Sequence, residues 1–95
     1  MKYKDYGIRH QILFDRIKVI SNPQRFKIIE LTQENQLSIT ELCSKLKIAY
    51  NKCADYVSML SHQNIIKKTK IRKEVKVLSL VKFYKNGVEF IADSI

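Results

Sequence analysis

Glycine and proline are scarce in this chain, two and one among 95 residues, which leaves little room for long irregular loops. No apolar run approaches the roughly 20 residues that span a bilayer. No signal-peptide pattern opens the sequence, so the expectation is an intracellular, cytoplasmic protein with no membrane partner. Two cysteines, Cys43 and Cys53, do not make a disulfide framework in that compartment. A Gly-rich phosphate loop, a nucleophile motif and a paired-carboxylate signature are all missing, which argues against an enzyme and against a cofactor. His10 and His62 stand far apart with no carboxylate at ligand spacing, so no metal site is expected. Acids are few as well: nine Asp and Glu face eighteen Lys and Arg, a net charge of +9. In so short a chain that excess points to a polyanionic partner, nucleic acid ahead of an acidic protein or a membrane surface.

What is present reads as one domain over residues 1–95. From about Asp5 to Ile20, Ile8, Ile12, Leu13, Ile17 and Ile20 recur at helical spacing with charges between them. Ser21-Asn22-Pro23 is a helix start, a polar cap followed by proline at the first helical position. It opens a second helix, roughly Pro23 to Gln33, carrying Phe26, Ile28, Ile29 and Leu31. Ser38-Ile39-Thr40-Glu41 fits a capping box and predicts a short helix ending near Leu46. A three-residue turn, Lys47-Ile48-Ala49, leads to a helix from Tyr50 to about Gln63, which Asn64 can stop in the left-handed conformation. Ile66 to Ile71 and Val75 to Val81 are rich in β-branched residues, with Arg72-Lys73-Glu74 between them, and predict a hairpin. Val88, Phe90, Ile91 and Ile95 then suggest a short terminal helix, with a third strand up to Tyr84 as the alternative.

Two short helices joined by a tight turn (about 38–63) and followed by a hairpin (about 65–82) form an α+β winged helix-turn-helix: a three-helix core, a wing, and flanking N- and C-terminal helices. On the helix after the turn, Cys53, Tyr56, Val57 and Leu60 share a face that must be buried. Asn51, Ala54, Asp55 and Ser58 lie opposite, with Tyr50 and Lys52 on the flanks. Short polar side chains suit close approach to base edges in a major groove. Asn bonds adenine at two points, Ser contacts several bases, and Lys reaches guanine or phosphate. Asp55 faces DNA only by accepting from cytosine or by pairing with a lysine such as Lys52. The hairpin region is more one-sided. Between Asn64 and Lys85 stand Lys67, Lys68, Lys70, Arg72, Lys73, Lys76, Lys82 and Lys85 against the single acid Glu74, +7 of the chain's +9. Such a ribbon can neutralise backbone phosphates and release counterions.

Ser21-Asn22-Pro23-Gln24-Arg25-Phe26-Lys27-Ile28-Ile29-Glu30-Leu31 resembles the opening helix of ArsR-like winged-helix regulators. Leu37 to Leu46 resembles their following helix, and Glu74 to Leu80 is similar to their second wing strand, so the resemblance spans about residues 17 to 81. Ala49 to Tyr56 with Met59-Leu60 and Ile65-Ile66, and Tyr84 to Ile91, resemble small archaeal winged-helix proteins, and an archaeal or archaeal-virus source would suit the composition. These resemblances imply a homodimer paired through the first and last helices on a pseudo-palindromic duplex site. Of the cysteine pair that ArsR-type metal sensors use, Cys43 fills the first position and Lys45 the second. A thiolate metal site is therefore incomplete, and Cys43 and Cys53 read as small core residues.

The expectation is thus a dimeric regulator of transcription, a repressor. Tyr50, Asn51, Lys52 and Ser58 would make or border base contacts, and Lys67, Lys68, Lys70, Arg72, Lys73 and Lys76 would grip phosphates of double-stranded DNA. Ile12, Ile17, Phe90 and Ile91 are the candidates for the dimer seam. Two rival readings use the same features: an architectural chromatin protein with little sequence preference, and a winged helix that binds protein instead of DNA.

Overall fold

Local capping chemistry divides the chain into helices in the computed structural model, which describes residues 7–84 and 87–90. The first helix, α1 (Gly7–Ile20), ends where Ser21 Oγ donates to Lys18 O at 2.8 Å. Asn22 then caps α2 (Pro23–Leu31), its Oδ1 accepting from the amides of Gln24 and Arg25 at 2.9 and 3.1 Å, with Pro23 at the first helical position. α2 stops two residues short of the expected Gln33. Thr32 Oγ1 donates to Ile28 O and the Gln33 side chain to Ile29 O, so side chains take over the last carbonyls and the backbone turns away.

A two-residue strand, β1 (Leu37–Ser38), leads into α3 (Ile39–Leu46), where the capping box is complete: Ser38 Oγ accepts from the Glu41 amide and Glu41 Oε1 from the Ser38 amide, each at 3.0 Å. Lys47, at φ 58, closes α3 and turns the chain into α4 (Tyr50–His62). The expected three-residue turn is therefore present. α4 starts without a side-chain cap, because Ala49 occupies that position. Asn64, at φ 59, ends it, and the Ile65 amide reaches back to Leu60 O at 2.9 Å.

The wing consists of β2 (Ile66–Ile71) and β3 (Glu74–Ser79), antiparallel with Ile71 opposite Glu74. Its tip is therefore the two residues Arg72-Lys73, with Arg72 at φ 59, and Glu74 belongs to the strand. β1 adds to the far side of β3, giving the order β1-β3-β2. Beyond the bend at Leu80, the expected terminal helix does not form over the described residues. β4 (Val81–Tyr84) instead pairs with β5 (Gly87–Phe90) as a second antiparallel hairpin. The rest of that expected helix, from Ile91 on, lies outside the described residues, as does the expected start of the first helix at Asp5.

Ile28 and Ile29 of α2, Leu42 of α3, Cys53, Val57 and Leu60 of α4, and Ile65, Ile66, Val77 and Val81 form one buried core. Full burial of a side chain of this size contributes about 1.5–3 kcal/mol, so the helix-turn-helix and the root of the wing fold as one unit. Polar bonds fix the junction: Ser79 N donates to Thr32 O at 3.0 Å, and Gln33 Nε2 reaches Ser79 Oγ and Val81 O at 3.0 and 2.8 Å.

Candidate nucleic-acid interface

α4 buries Cys53, Val57 and Leu60 and turns Asn51, Asp55 and Ser58 outward in one stripe. Tyr50 and Lys52 are also exposed. Ala54, expected on the outer face, is half-buried at the edge of the core. Tyr56 is half-buried too, for a polar reason. Its hydroxyl donates to Gln24 Oε1 at 2.9 Å, while Arg25 and Lys52 stand over its ring at 5.4 and 5.8 Å. Arg25 in turn donates through Nε to Val19 O at 2.7 Å and through Nη1 to Met59 Sδ at 3.6 Å, joining α1, α2 and α4. At the far end of α4, the buried Arg16 of α1 donates to Gln63 O at 3.0 Å. Cations at the last carbonyls of a helix complement its dipole. The outer stripe of α4 is thereby held in a fixed orientation by side chains on its inner flank.

Asp55 makes no ion pair with Lys52 or with any other described residue. It sits midway along the polar stripe as an acceptor.

On the wing, Lys67, Lys68, Lys70, Arg72 and Lys73 are exposed. Cross-strand partners share a face, so Lys68 and Lys70 lie on the side of Val77 and Val75, and Lys67 lies on the other with Leu78. Lys76 differs from the rest. It is half-buried, with Nζ 3.5 Å from Glu41 Oε1 and 3.4 Å from Glu74 Oε2. The Ser38 amide first, then the Ser38 hydroxyl, hold the Glu41 carboxyl below its usual range, and Lys76 adds to this. Burial pulls the Lys76 ammonium down, but Glu74 and then Glu41 outweigh it and raise it above the ordinary lysine value.

The wing tip and the helix-turn-helix meet. A cleft of about 100 Å³ is lined by Ser38, Ile39 and Thr40 at the start of α3, Tyr50 at the start of α4, and Lys73, Glu74 and Val75 of the wing. The structure therefore brings Tyr50 and Lys73, 23 residues apart in sequence, to one cleft. Sequence reasoning missed Thr40 and the Gln24-Arg25-Tyr56 contacts. The motif that contains Gln24 and Arg25 was visible, but nothing local tied it to Tyr56.

The remaining candidates are distributed. On α1, His10, Leu13, Phe14 and Ile17 line a shallow groove of about 130 Å³, with Leu13 and Ile17 41% and 55% exposed. Ile17 thus lies on an open apolar row. Ile12 is five residues away, about 140° around the helix; it shares the side of Arg16 and Val19. Phe90 lies in β5, a strand where a helix was expected, and Ile91 lies outside the described residues. Cys53 is fully buried, its Sγ donating to Ile39 O at 3.9 Å. Burial, with Cys43 second, pushes its thiol up to about 11. Cys43 is half-buried and donates to Thr40 O at 3.2 Å. Among the described residues, no group of three potential metal ligands gathers, and no helix is long and apolar enough to cross a membrane.

No family model and no curated protein sequence matches the chain. Solved structures do. The transcriptional regulator HlyU from Vibrio vulnificus superposes with a TM-score of 0.67 at 22% identity, covering 83% of this chain and 82% of that one. An ArsR-like transcriptional regulator from Rhodococcus gives 0.69 at 17% identity, over 76% and 68% of the two chains. The homodimeric winged helix-turn-helix DNA-binding domain of Mb0332 from Mycobacterium bovis gives 0.73 at 8% identity, over 83% and 72%. The chain has the winged helix-turn-helix fold of ArsR-like regulators.

Proposed function

We propose that the protein is a transcriptional regulator, acting as a repressor, that binds double-stranded DNA as a homodimer. α4 enters the major groove, where Asn51 and Ser58 meet base edges and Tyr50 and Lys52 border them. Lys67, Lys68, Lys70, Arg72 and Lys73 engage phosphates on either side of the wing. The observation that carries this reading is the cleft that joins Tyr50 to Lys73. It sets the start of α4, at the exposed Tyr50, beside the basic wing tip, at Lys73, so one duplex can meet both. The fold shared with the regulators from Vibrio and Rhodococcus supports it.

The dimer is proposed on the open row of α1, with Ile17 at its centre. The homodimeric state of the Mycobacterium domain supports a paired arrangement. Two recognition helices in such a dimer would lie about 34 Å apart, one duplex turn. Such a regulator works in the cytoplasm, at the nucleoid. The Ile- and Lys-rich composition fits an archaeal or archaeal-virus source, although the three structures above come from bacteria.

One feature favours the architectural reading: Asp55 sits in the middle of the reading face while the wing cations carry no sequence information. Selection of bound duplexes from a random library at fixed salt separates the two. A regulator prefers its selected site over random duplex by about a thousandfold or more; an architectural protein binds both alike. Binding to neither would leave the protein-interaction reading. Asn51→Ala should relax preference at one base pair, worth about 1–3 kcal/mol. An equal loss on all sequences would refute its base-reading role.

A further inference from the structure

We infer that Lys76 is a positioning residue of the wing, its charge consumed inside the protein rather than on a phosphate. The inference rests on the DNA-binding reading above. Three observations carry it. The ammonium stands between two carboxylates from different elements, Glu41 of α3 at 3.5 Å and Glu74 of β3 at 3.4 Å. Its residue pairs in register with Ser38, whose own amide and hydroxyl complete the Glu41 cap. By strand alternation it lies on the sheet face opposite to Lys68 and Lys70.

These contacts give Lys76 two tasks. It ties the inner wing strand to the cap of α3, so that Lys73 of the tip is held at the Tyr50 cleft, with Arg72 next to it in the turn. It also neutralises part of the charge of Glu41 and Glu74, which line or adjoin that cleft and would repel an approaching phosphate. The two carboxylates in turn keep Lys76 from joining the phosphate-binding set. The other five basic residues of the wing, Lys67, Lys68, Lys70, Arg72 and Lys73, have no acid partner among the described residues. Lys76 is therefore the wing cation whose removal should have a different signature.

Salt dependence reads that signature, because each cation on a phosphate adds about 0.9 to the slope of log K against log salt. The probe is a labelled 25-base-pair duplex of arbitrary sequence titrated with the full chain across a potassium chloride series. For Glu41→Gln/Glu74→Gln, glutamine keeps the cap and frees Lys76. The slope should steepen by about 0.9 and binding should tighten at low salt. Adding Lys76→Met to that pair should return the slope to the wild-type value. Lys76→Met alone should weaken binding severalfold at every salt with the wild-type slope, and amide exchange at Ser38 and Lys76 should accelerate. A slope flattened by about 0.9 in Lys76→Met would make Lys76 a phosphate ligand and overturn the inference. So would an unchanged slope in the double glutamine variant, or unchanged exchange at Ser38 and Lys76 in Lys76→Met. A wild-type protein that shows no salt-dependent binding would instead defeat the DNA-binding reading itself.

Discussion

Replacing Lys68, Lys70 and Arg72 with alanine tests the wing as a phosphate-binding ribbon. All three side chains are exposed and none has an acid partner among the described residues. Four residue steps along β2 and into the tip separate the outer two, at most about 13 Å at 3.3 Å per residue. Phosphates of one DNA strand recur about every 3.4 Å along the axis, so the three cations span roughly four of them and need not compete for one. Each neutralised phosphate adds about 0.9 to the salt slope, and removing three should flatten it by about 2.7. Over a fourfold change from about 50 to 200 mM salt, the advantage of the wild type over the variant should shrink roughly 40-fold. Fluorescence anisotropy with a labelled duplex at four salt concentrations measures this directly. Stability should change little, within about 0.5 kcal/mol per site, because the residues lie on the surface. Parallel lines for wild type and variant, at unchanged melting temperature, would refute the reasoning: the wing would then be charged for solubility or against edge pairing.

Four further outcomes follow. Ile17→Lys on the open row of α1 should abolish self-association seen by sedimentation; losing about 2 kcal/mol of apolar burial in each of two copies weakens a dimer roughly a thousandfold, and an unchanged dimer would move the seam elsewhere. Native protein should expose Cys43 alone to a disulfide reagent, and Cys53 only on unfolding. Because the Cys53 thiol rises from 9.0 to about 11 on folding, its share of stability is complete below pH 9. It is lost as pH climbs towards 11, and Cys53→Ala should remove that part of the alkaline decline in thermal melts. Arg72→Asn should raise the melting temperature by roughly 4–8 °C if it relieves about 1 kcal/mol of left-handed strain, while binding weakens; a lower melting temperature would show that the strain is absent.

The helix-turn-helix was legible because its boundaries depend on neighbours in sequence. Asn22 with Pro23, Ser38 with Glu41, and Asn64 each act within a few residues, and the burial of Cys53, Val57 and Leu60 follows from helical periodicity. The wing was legible to within two residues at its tip and its end. Glu74 joins the strand because it pairs with Ile71, and Ser79 ends β3 because its hydroxyl bonds both Gln33 and the Val81 backbone. The terminal helix was misread, while the alternative strand up to Tyr84 is present as β4. Val88 and Phe90 alternate at strand spacing and follow Asn86-Gly87, a pair that favours hairpins, yet the apolar count through Ile91 and Ile95 suggested a helix. The site itself was half legible. Exposed cations can be counted along a sequence, but the Glu41–Lys76 pair spans 35 residues and the Gln24–Tyr56 bond 32. No local pattern announces contacts at that range.

Among the described residues, the three non-glycine positions with positive φ connect the backbone of this fold to its proposed function. Lys47 at φ 58 turns α3 into α4, Asn64 at φ 59 ends α4, and Arg72 at φ 59 forms the wing tip. Glycine would adopt these angles without cost, yet neither of the chain's two glycines, Gly7 and Gly87, stands there. Asn64 needs no functional reason, since asparagine tolerates the left-handed region. Lys47 and Arg72 are different: each carries a long side chain in a conformation that costs roughly 1–2 kcal/mol. Both are held by surrounding bonds, Lys47 by the Ile48 amide to Cys43 O at 3.2 Å and Arg72 by the Ile71–Glu74 pairing. Strain of this kind persists where the surroundings over-determine it, and it collects at working surfaces. The two strained positions are cations at two turns of the proposed interface, the one before α4 and the tip of the wing. The chain keeps positive charge where the backbone alone would favour glycine, as a surface built to meet phosphates requires.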